Sequence, residues 1–458
     1  MLIEVTSHEL LSEIIFRDGH QFSTPCGGKG VCRRCKVRLV SGDWLYEGKT
    51  VSAPAEVLAC RTHLAGACGT VEFSPGKHAG GIAMAWQNIP PVSGRDCVIG
   101  IDIGTTTIAA VKYSEGAVIA SAGMLNPQSK FGDNVISRIA ASPLHLQEMR
   151  SMVAAAVEKL LEELGTDDVV RIGIAGNTVM LSLFYGIDPT PVGVMPFEPL
   201  TKDFPVCRLA GIETFAVPCI SGFVGGDLTA GLFCIGLRPG EMLADIGTNC
   251  EVIFNTPAGM ICTAAAAGPA FEGAGLHCGC CAMTGAVEHS RSKYDYDVAG
   301  NCVPAGICGS AYVDWLAVER RAGHLSATGR LQPAAESMYI TDDIFVHEYD
   351  IGELLKAKAA IYAGIRTVEE HCGCRAGKIW LAGGFARHLD IANAIACGML
   401  PEREYVSVGN TSLAGAVQLA LDPGTAAEMR ALREGIQDVP LNTLTGFEDN
   451  FIDALLLP

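Results

Sequence analysis

The chain opens in short alternating runs. Leu2–Val5 ("LIEV") and Cys35–Val40 ("CKVRLV") alternate apolar and polar positions, the period of a half-buried strand, and Thr70–Phe73 ("TVEF") adds another. Between the first two, His8–Gly19 ("HELLSEIIFRDG") gathers its apolar residues on one helical face and closes on glycine. Ser74 to Asp96 is rich in Gly and Pro and has little period, which reads as a linker. At Cys97 the texture changes. "CVIGIDIGTTTIAAVKYSEGAVIASAGMLN" reads as three strands joined by turns. Ser151–Leu164 predicts a helix, and Val169–Asn177 a buried strand ending in a polar turn. Near Glu241 the pattern restarts, and "EMLADIGTNCEVIF" again sets Asp-Ile-Gly-Thr between two apolar runs. Asp350–Gly373 predicts a long helix. Lys378–Ala386 ("KIWLAGGFA") predicts a strand running into a glycine turn. The expected organisation is a small domain over 1–75, a linker over 76–96, and two α/β lobes over 97–240 and 241–458.

Composition narrows the class. The 458 residues are 49% hydrophobic and 18% charged, enough to bury large cores, and 53 glycines favour α/β architecture with many tight turns. The net charge of -17 argues against non-specific binding to nucleic acid or a membrane surface. No apolar run reaches membrane-spanning length and Met1 leads straight into a strand-like stretch, so a cytoplasmic protein is expected. Nineteen cysteines is a high number for such a chain, and their clustering suggests metal ligation before disulfides.

The densest cluster is "TPCGGKGVCRRCKVRLVSG", with Cys26, Cys32 and Cys35 in a Cys-x5-Cys-x2-Cys order. Four thiolates hold a metal centre, so a fourth is needed downstream. Cys60 fits and Cys68 is its rival. Gly27, Gly28 and Gly30 would let backbone N–H groups turn toward sulfide. This loop with a distant fourth cysteine is the ferredoxin-type [2Fe–2S] pattern. Zinc is the alternative, but zinc sites usually pair two Cys-x2-Cys knuckles and only one is present. The loop resembles the adrenodoxin and plant ferredoxin families, with one departure: those domains begin with a β-hairpin, and this chain starts almost at its helix. Farther on, Cys278, Cys280 and Cys281, and Cys372 with Cys374, have metal-like spacings. A second centre would need four of them to converge, and cysteine as a small buried apolar residue is the commoner case.

"GIDIGTTT" lacks the Gly-Lys-Ser/Thr of a Walker loop. A hairpin tip of Gly104, Thr105, Thr106 and Thr107 instead offers N–H and O–H donors to phosphate oxygens, and Asp102 beside it can hold Mg²⁺ through water. Gly247, Thr248 and Asn249 repeat the device beside Asp245, and Gly383, Gly384 and Phe385 would bring a glycine turn near a flat ring. Asp227 in "GFVGGD" and Glu272 in "GPAFEG" could touch nucleotide or metal. Asp227 could equally cap the helix that follows it. The three pieces, in this order, resemble the phosphate-1, phosphate-2 and adenosine motifs of the acetate and sugar kinase, Hsp70 and actin superfamily. That implies two ribonuclease-H-like lobes closing on ATP, with Asp102 and Asp245 as the catalytic and Mg²⁺-binding carboxylates.

A ferredoxin-type centre joined to an ATP clamp makes sense for uphill electron transfer. The whole chain resembles the reductive activators of corrinoid-dependent methyltransferases, in "CGGKGVCRRCKV", "GIDIGTTTIAA", "NPQSKFGDNVISRI", "AGNTVM", "SGFVGGDLTAGL", "ADIGTNCE", "TAAAAGPAFEGAG", "GICGSAYVD", "LAGGFA", "GNTSLAGA" and "FIDALLLP". The resemblance implies an N-terminal β-grasp ferredoxin-like domain followed by the two lobes. It further implies a [2Fe–2S] cluster on Cys26, Cys32, Cys35 and Cys60, and ATP with Mg²⁺ in the cleft. The expected partners are a corrinoid protein of a methyltransferase system, an upstream low-potential electron donor and a second copy of the chain as homodimer. Two departures stand out: only a linker separates the cluster from the ATP region, and "HCGCCAMTGAVE" holds cysteines in place of apolar residues. Other readings of the same parts are an activator of 2-hydroxyacyl-CoA dehydratases, a small-molecule kinase with a redox-sensing cluster, and an ATP-binding scaffold.

Overall fold

The computed structural model describes residues 1–18, 28, 30, 35–73, 84–92 and 94–458. The N-terminal unit runs β1 (Leu2–Val5), α1 (Leu11–Arg17), β2 (Lys36–Ser41), β3 (Asp43–Tyr46), β4 (Lys49–Ser52), β5 (Ala55–Leu58), β6 (Thr62–Leu64) and β7 (Gly69–Glu72). Four strands pair in the order β1-β7-β2-β5, antiparallel throughout. Among the described residues, β1 and β5 are the edge strands. The sheet grasps α1 through Val5, Leu11, Ile14, Ile15, Val37, Leu39 and Val71, all buried. A second sheet, β4-β3-β6, was not legible in the sequence because its strands are only three or four residues long. Trp44 of β3 is fully buried, with its indole N–H donating to the Ser41 carbonyl at 3.0 Å.

The first lobe comprises β8 (Val98–Ile103), β9 (Thr107–Ser114), β10 (Ala117–Leu125), α2 (Val135–Leu164), β11 (Arg171–Gly176), α3 (Thr178–Tyr185), β12 (Cys207–Leu209), β13 (Ile212–Ala216) and α4 (Gly226–Ile235). The second begins with β14 (Glu241–Ile246), β15 (Cys250–Thr256) and β16 (Gly259–Ala265). It continues through β17 (Ala286–Ser292), β18 (Asp295–Val298), β19 (Gly306–Ile307), α5 (Gly309–Arg321), β20 (Ser337–Tyr339), β21 (Phe345–His347) and α6 (Glu348–His371). It ends with β22 (Lys378–Ala382), α7 (Ile391–Ala396), β23 (Glu404–Gly409), α8 (Thr411–Leu421), α9 (Thr425–Glu434), β24 (Ile436–Asp438) and α10 (Phe447–Ala454). The main sheets share one plan. β10-β9-β8-β11-β13 and β16-β15-β14-β22-β23 each place two antiparallel steps before two parallel ones. This is the ribonuclease-H-like arrangement, and it explains the echo: Asp102 and Asp245 stand at equivalent ends of the first strands, β8 and β14.

The lobes exchange one helix each. α8 packs Leu413, Val417 and Ala420 on Val98, Ala109 and Val111 of the first lobe. α4 packs Leu228, Leu232 and Ile235 on Leu243, Ile253 and Val408 of the second. Small residues make this close crossing possible. A methyl on Gly173 of β11 would fall 1.9 Å from the Ala416 carbonyl oxygen, and one on Gly415 would fall 2.4 Å from the Ala230 side chain.

Two elements differ from the sequence expectation. α2 starts at Val135, well before the expected Ser151, and carries Pro143 inside it. A proline leaves the carbonyl four residues back without its N–H, and Ser142 Oγ donates to that Ile139 carbonyl at 2.8 Å. In the expected linker, residues 84–92 are docked on the lobes. The N–H groups of Gln87 and Asn410 donate to the carbonyls of Val408 and Ala85, and Val92 is buried.

Candidate functional site

β8 and β9 meet in the hairpin tip Gly104–Thr106, and β14 and β15 in Gly247–Asn249. Each tip is closed by one backbone hydrogen bond, Gly104 N–H to Thr107 and Gly247 N–H to Asn249. The first tip is braced from behind. Asn126 donates from its backbone to Thr106 and from Nδ2 to the Gly104 carbonyl, and the fully buried Arg138 donates to the Thr105 carbonyl at 2.7 Å. Burial lowers the Arg138 pKa to about 10, so it remains a cation behind the turn at neutral pH.

The two tips face each other across a cleft of about 230 Å³. Asp102, Gly104, Thr105, Thr106, Thr107, Asp227, Asp245, Gly247, Thr248 and Asn249 line it. The third expected piece, Gly383, Gly384 and Phe385, lines the same cleft. Gly383 has φ +94°, and a methyl there would fall 2.7 Å from Asp245 Oδ1, so the turn leaves no room for a side chain. Phe385 stacks on Phe271 with centroids 5.2 Å apart, an apolar wall beside this turn.

Among the lining residues, Asn177, Asn410 and Ser412 were not singled out by the sequence, whereas Glu272 was named there as a possible contact to nucleotide or metal. Glu272 joins the two tips: its Oε2 accepts from Thr106 Oγ1 at 2.6 Å and from Thr248 Oγ1 at 2.8 Å. Asp102 accepts from Asn410 Nδ2 at 3.0 Å and Ser412 Oγ at 2.8 Å, both at the start of α8. Asn410 also caps α8 by accepting from the Leu413 N–H. Asn177 does the same for α3, accepting from Val179 N–H. Asp227 is not a cap. It lies in the first turn of α4, where Gly225 holds the cap position.

The cleft is crowded with carboxyl groups and short of cations. Desolvation, then the charges of Asp227, Asp102 and Glu272, push Asp245 up to about 8. Desolvation and then the Asp102 charge push Asp227 up to about 7. Asp102 and Glu272 are also raised by desolvation, opposed by their hydrogen bonds, and Glu251 is pushed well above the usual range. A divalent cation would relieve this strain. Among the described residues, no three His, Cys, Asp or Glu side chains converge on one metal position, there or at Cys278, Cys280, Cys281, Cys372 and Cys374.

In the N-terminal unit, Cys26 and Cys32 lie outside the described residues. Cys35 and Cys60 are buried and bring their sulfurs to 3.2 Å. Cys68 is exposed on the turn before β7.

Known proteins match this architecture along most of its length. Residues 2–65 match the 2Fe-2S iron-sulfur cluster binding domain, 97–239 the RACo middle region, and 240–458 the C-terminal ASKHA domain of RACo. The corrinoid activation enzyme RamQ of Eubacterium limosum is 29% identical over 413 residues, spanning 77% of this chain and 69% of RamQ. The [Co(II) methylated amine-specific corrinoid protein] reductase of Methanosarcina barkeri is 25% identical over 305 residues, spanning 56% of each chain. A solved structure of a reductive activator for corrinoid, iron-sulfur protein superposes with a TM-score of 0.74 at 25% identity, covering 99% of this chain and 96% of that one. With a ferredoxin-type unit ahead of the RACo middle and ASKHA regions, the chain belongs to the reductive activators of corrinoid proteins.

Proposed function

We propose that this protein reduces the inactive Co(II) corrinoid of a methyltransferase system to Co(I), drawing on ATP. The observation that carries this reading is the union on one chain of a cluster-type thiol pair, Cys35 and Cys60, with a two-lobed cleft whose hairpins meet at Glu272. The reaction needs both parts. For a one-electron step each 59 mV of shortfall is tenfold in equilibrium, so a low-potential cobalt couple stays oxidised unless another free-energy source is coupled to it.

Cys35 and Cys60, with Cys26 and Cys32 from the loop, would hold the [2Fe–2S] cluster, which supplies one-electron transfer when bound. Thr106 and Thr248 would donate to phosphate oxygens, taking them in place of the Glu272 carboxylate. Glu272, freed at the meeting point of the tips, is then placed to orient an attacking water. Asp245 and Asp102 would hold the water shell of Mg²⁺, and Gly383, Gly384 and Phe385 the adenosine. Asp102 is bonded to the start of α8, which packs on the opposite lobe, so changes at the phosphates reach the lobe interface. Closure favours reduction only if the closed form binds one state of the corrinoid protein better than the other.

The test is an absorbance time course on the cognate corrinoid protein with a low-potential donor. Co(I) should accumulate only with ATP and Mg²⁺. Cys35→Ser should abolish the reaction and leave ATP binding intact. Equal rate and extent without ATP would reject the coupling.

A further inference from the structure

The cysteines of "HCGCCAMTGAVE" and "GICGSAYVD" are unused in this scheme, yet the fold brings them to the cleft wall. Gly279 forms a parallel bridge with Ile307, held by Cys280 N–H to the Ile307 carbonyl at 2.9 Å and Ile307 N–H to the Cys278 carbonyl at 2.7 Å. The next residues along both strands are Cys280 and Cys308. Strand spacing puts their Cα atoms roughly 5 Å apart, inside the window of about 4.4–6.8 Å that a disulfide spans. Their side chains share one buried apolar cluster with Ala286. Tyr312, one turn into α5, is fully buried beside the thiols of Cys278, Cys280 and Cys308, with no hydrogen-bond partner for its hydroxyl. The Tyr312 hydroxyl is therefore one hydrogen bond short beside these thiols.

The pair also grips the residue that joins the phosphate hairpins. A methyl on Gly273 would fall 2.1 Å from the Cys280 carbonyl oxygen, and one on Gly309 would fall 2.0 Å from the Phe271 carbonyl oxygen. The Phe271–Gly273 turn, which carries Glu272, is thus wedged between the two cysteine segments. Cys308 itself lines the cleft.

We propose that Cys280 and Cys308 are a reversible dithiol–disulfide site, oxidised by small-molecule disulfides that enter the empty cleft, and that the oxidised form binds nucleotide poorly. The inference rests on the reading of this cleft as the nucleotide site. Cys308 thiolate attacks the external disulfide, forming a mixed disulfide and releasing one thiolate. Cys280 thiolate then attacks the Cys308 sulfur and expels the second. Both leaving thiolates take up the protons the cysteines gave, so one external disulfide becomes two thiols as one protein disulfide forms. The S–S bond locks together the two segments that wall the Glu272 turn, so the turn cannot readjust when phosphate takes Thr106 and Thr248 from Glu272, and surroundings too oxidising for a low-potential centre would stop ATP consumption.

The experiment treats the intact holoprotein with glutathione disulfide, with and without a nonhydrolysable ATP analogue. Peptide mapping locates disulfides, and calorimetry measures affinity for the analogue before treatment, after it, and after re-reduction. The expected result is a Cys280–Cys308 peptide, suppressed by the analogue, and an affinity loss of about tenfold or more that dithiothreitol reverses. Cys280→Ala, which lacks the resolving thiol, should stop at the mixed disulfide and carry one glutathione on Cys308 by mass; no adduct there would overturn the proposal. Absence of the Cys280–Cys308 peptide, a Cys278–Cys308 peptide in its place, or a Cys280–Cys308 bond with unchanged affinity would each overturn the proposal. Reduced wild type that fails to bind the analogue would instead overturn the nucleotide reading and, with it, the effect on affinity; the mapping still decides whether the disulfide forms.

Discussion

Loading the cleft with Mg²⁺-nucleotide should expel protons, and the number can be worked out. Asp245 at about 8 and Asp227 at about 7 both stand far above an ordinary aspartate, with desolvation the largest cause in each. At pH 7 the pair together holds about 1.4 protons, where two ordinary aspartates would hold almost none. A metal ion facing these groups favours their ionised forms, so binding at pH 7 should release between about one and 1.4 protons. The stability of the empty protein runs in the matching direction. A carboxyl whose folded pKa exceeds its unfolded value stabilises the folded state fully below about pH 4, and that stabilisation is lost as pH rises through about 7 to 8. Affinity for the loaded nucleotide should rise over the same range, by up to about tenfold per pH unit for each proton released. Titration calorimetry in buffers of different ionisation enthalpy reads the proton count directly, with a nonhydrolysable analogue already saturated with Mg²⁺. Asp245→Asn should lower it, by up to about one proton. No release at pH 7, or net uptake, would mean that phosphates and not metal face these acids, and would refute the assignment.

Two further substitutions test the frame around the sites. Cys60→Ser should disturb the visible spectrum of the anaerobically prepared protein strongly and Cys68→Ser hardly at all; equal effects, or zinc in place of about two irons per chain, would reject the ligand set. Gly173→Ala sets a methyl against the Ala416 backbone, which cannot rotate away. Its denaturation midpoint should fall by an amount corresponding to about 3 kcal/mol or more, and a wild-type midpoint would show that the lobes are not packed this closely.

What the sequence disclosed depends on how local the cause was. The Asp102 and Asp245 hairpins were legible because a strand, a tight turn and a strand are adjacent in the chain. The long helix at Glu348–His371 was legible because its apolar period is unbroken. The first half of α2 was hidden by Pro143, whose helical solution depends on the neighbouring Ser142 hydroxyl. Glu272 could not be ranked as a bridging group, since its partners Thr106 and Thr248 are distant in sequence and meet only when the lobes do. Asn177 and Asn410 did leave a signal. Gly-Asn-Thr occurs in both "AGNTVM" and "GNTSLAGA", each time after a strand and before an apolar run, and Asn in that place caps a helix. Both caps open onto the cleft. Cys26 and Cys32 show the opposite case: their spacing is the strongest motif in the chain, and they lie outside the described residues.

The position of residues 84–92 bears on how the two halves of the protein act together. A tether that only joined a ferredoxin-type unit to the lobes would let each move without the other. Here the Ala85 carbonyl accepts from the backbone of Asn410, while the Asn410 side chain donates to Asp102 in the cleft. Trp86 pairs with Gly409, where a methyl would fall 2.4 Å from the Ala85 oxygen, so the tether lies hard against the end of β23. Two hydrogen bonds on one asparagine thus separate the phosphate hairpin from the segment that leads back to Cys60 and Cys35. A change in the charge or position of Asp102 alters what Asn410 can donate, and Asn410 cannot shift without shifting Ala85. Coupling needs an element whose arrangement both sites bias, and the start of α8 has the contacts such an element would need. It touches the cleft through Asp102, the opposite lobe through Leu413 and Val417, and the tether through Ala85. One short segment, Gly409 to Ser412, thus touches both Asp102 in the cleft and the docked stretch 84–92.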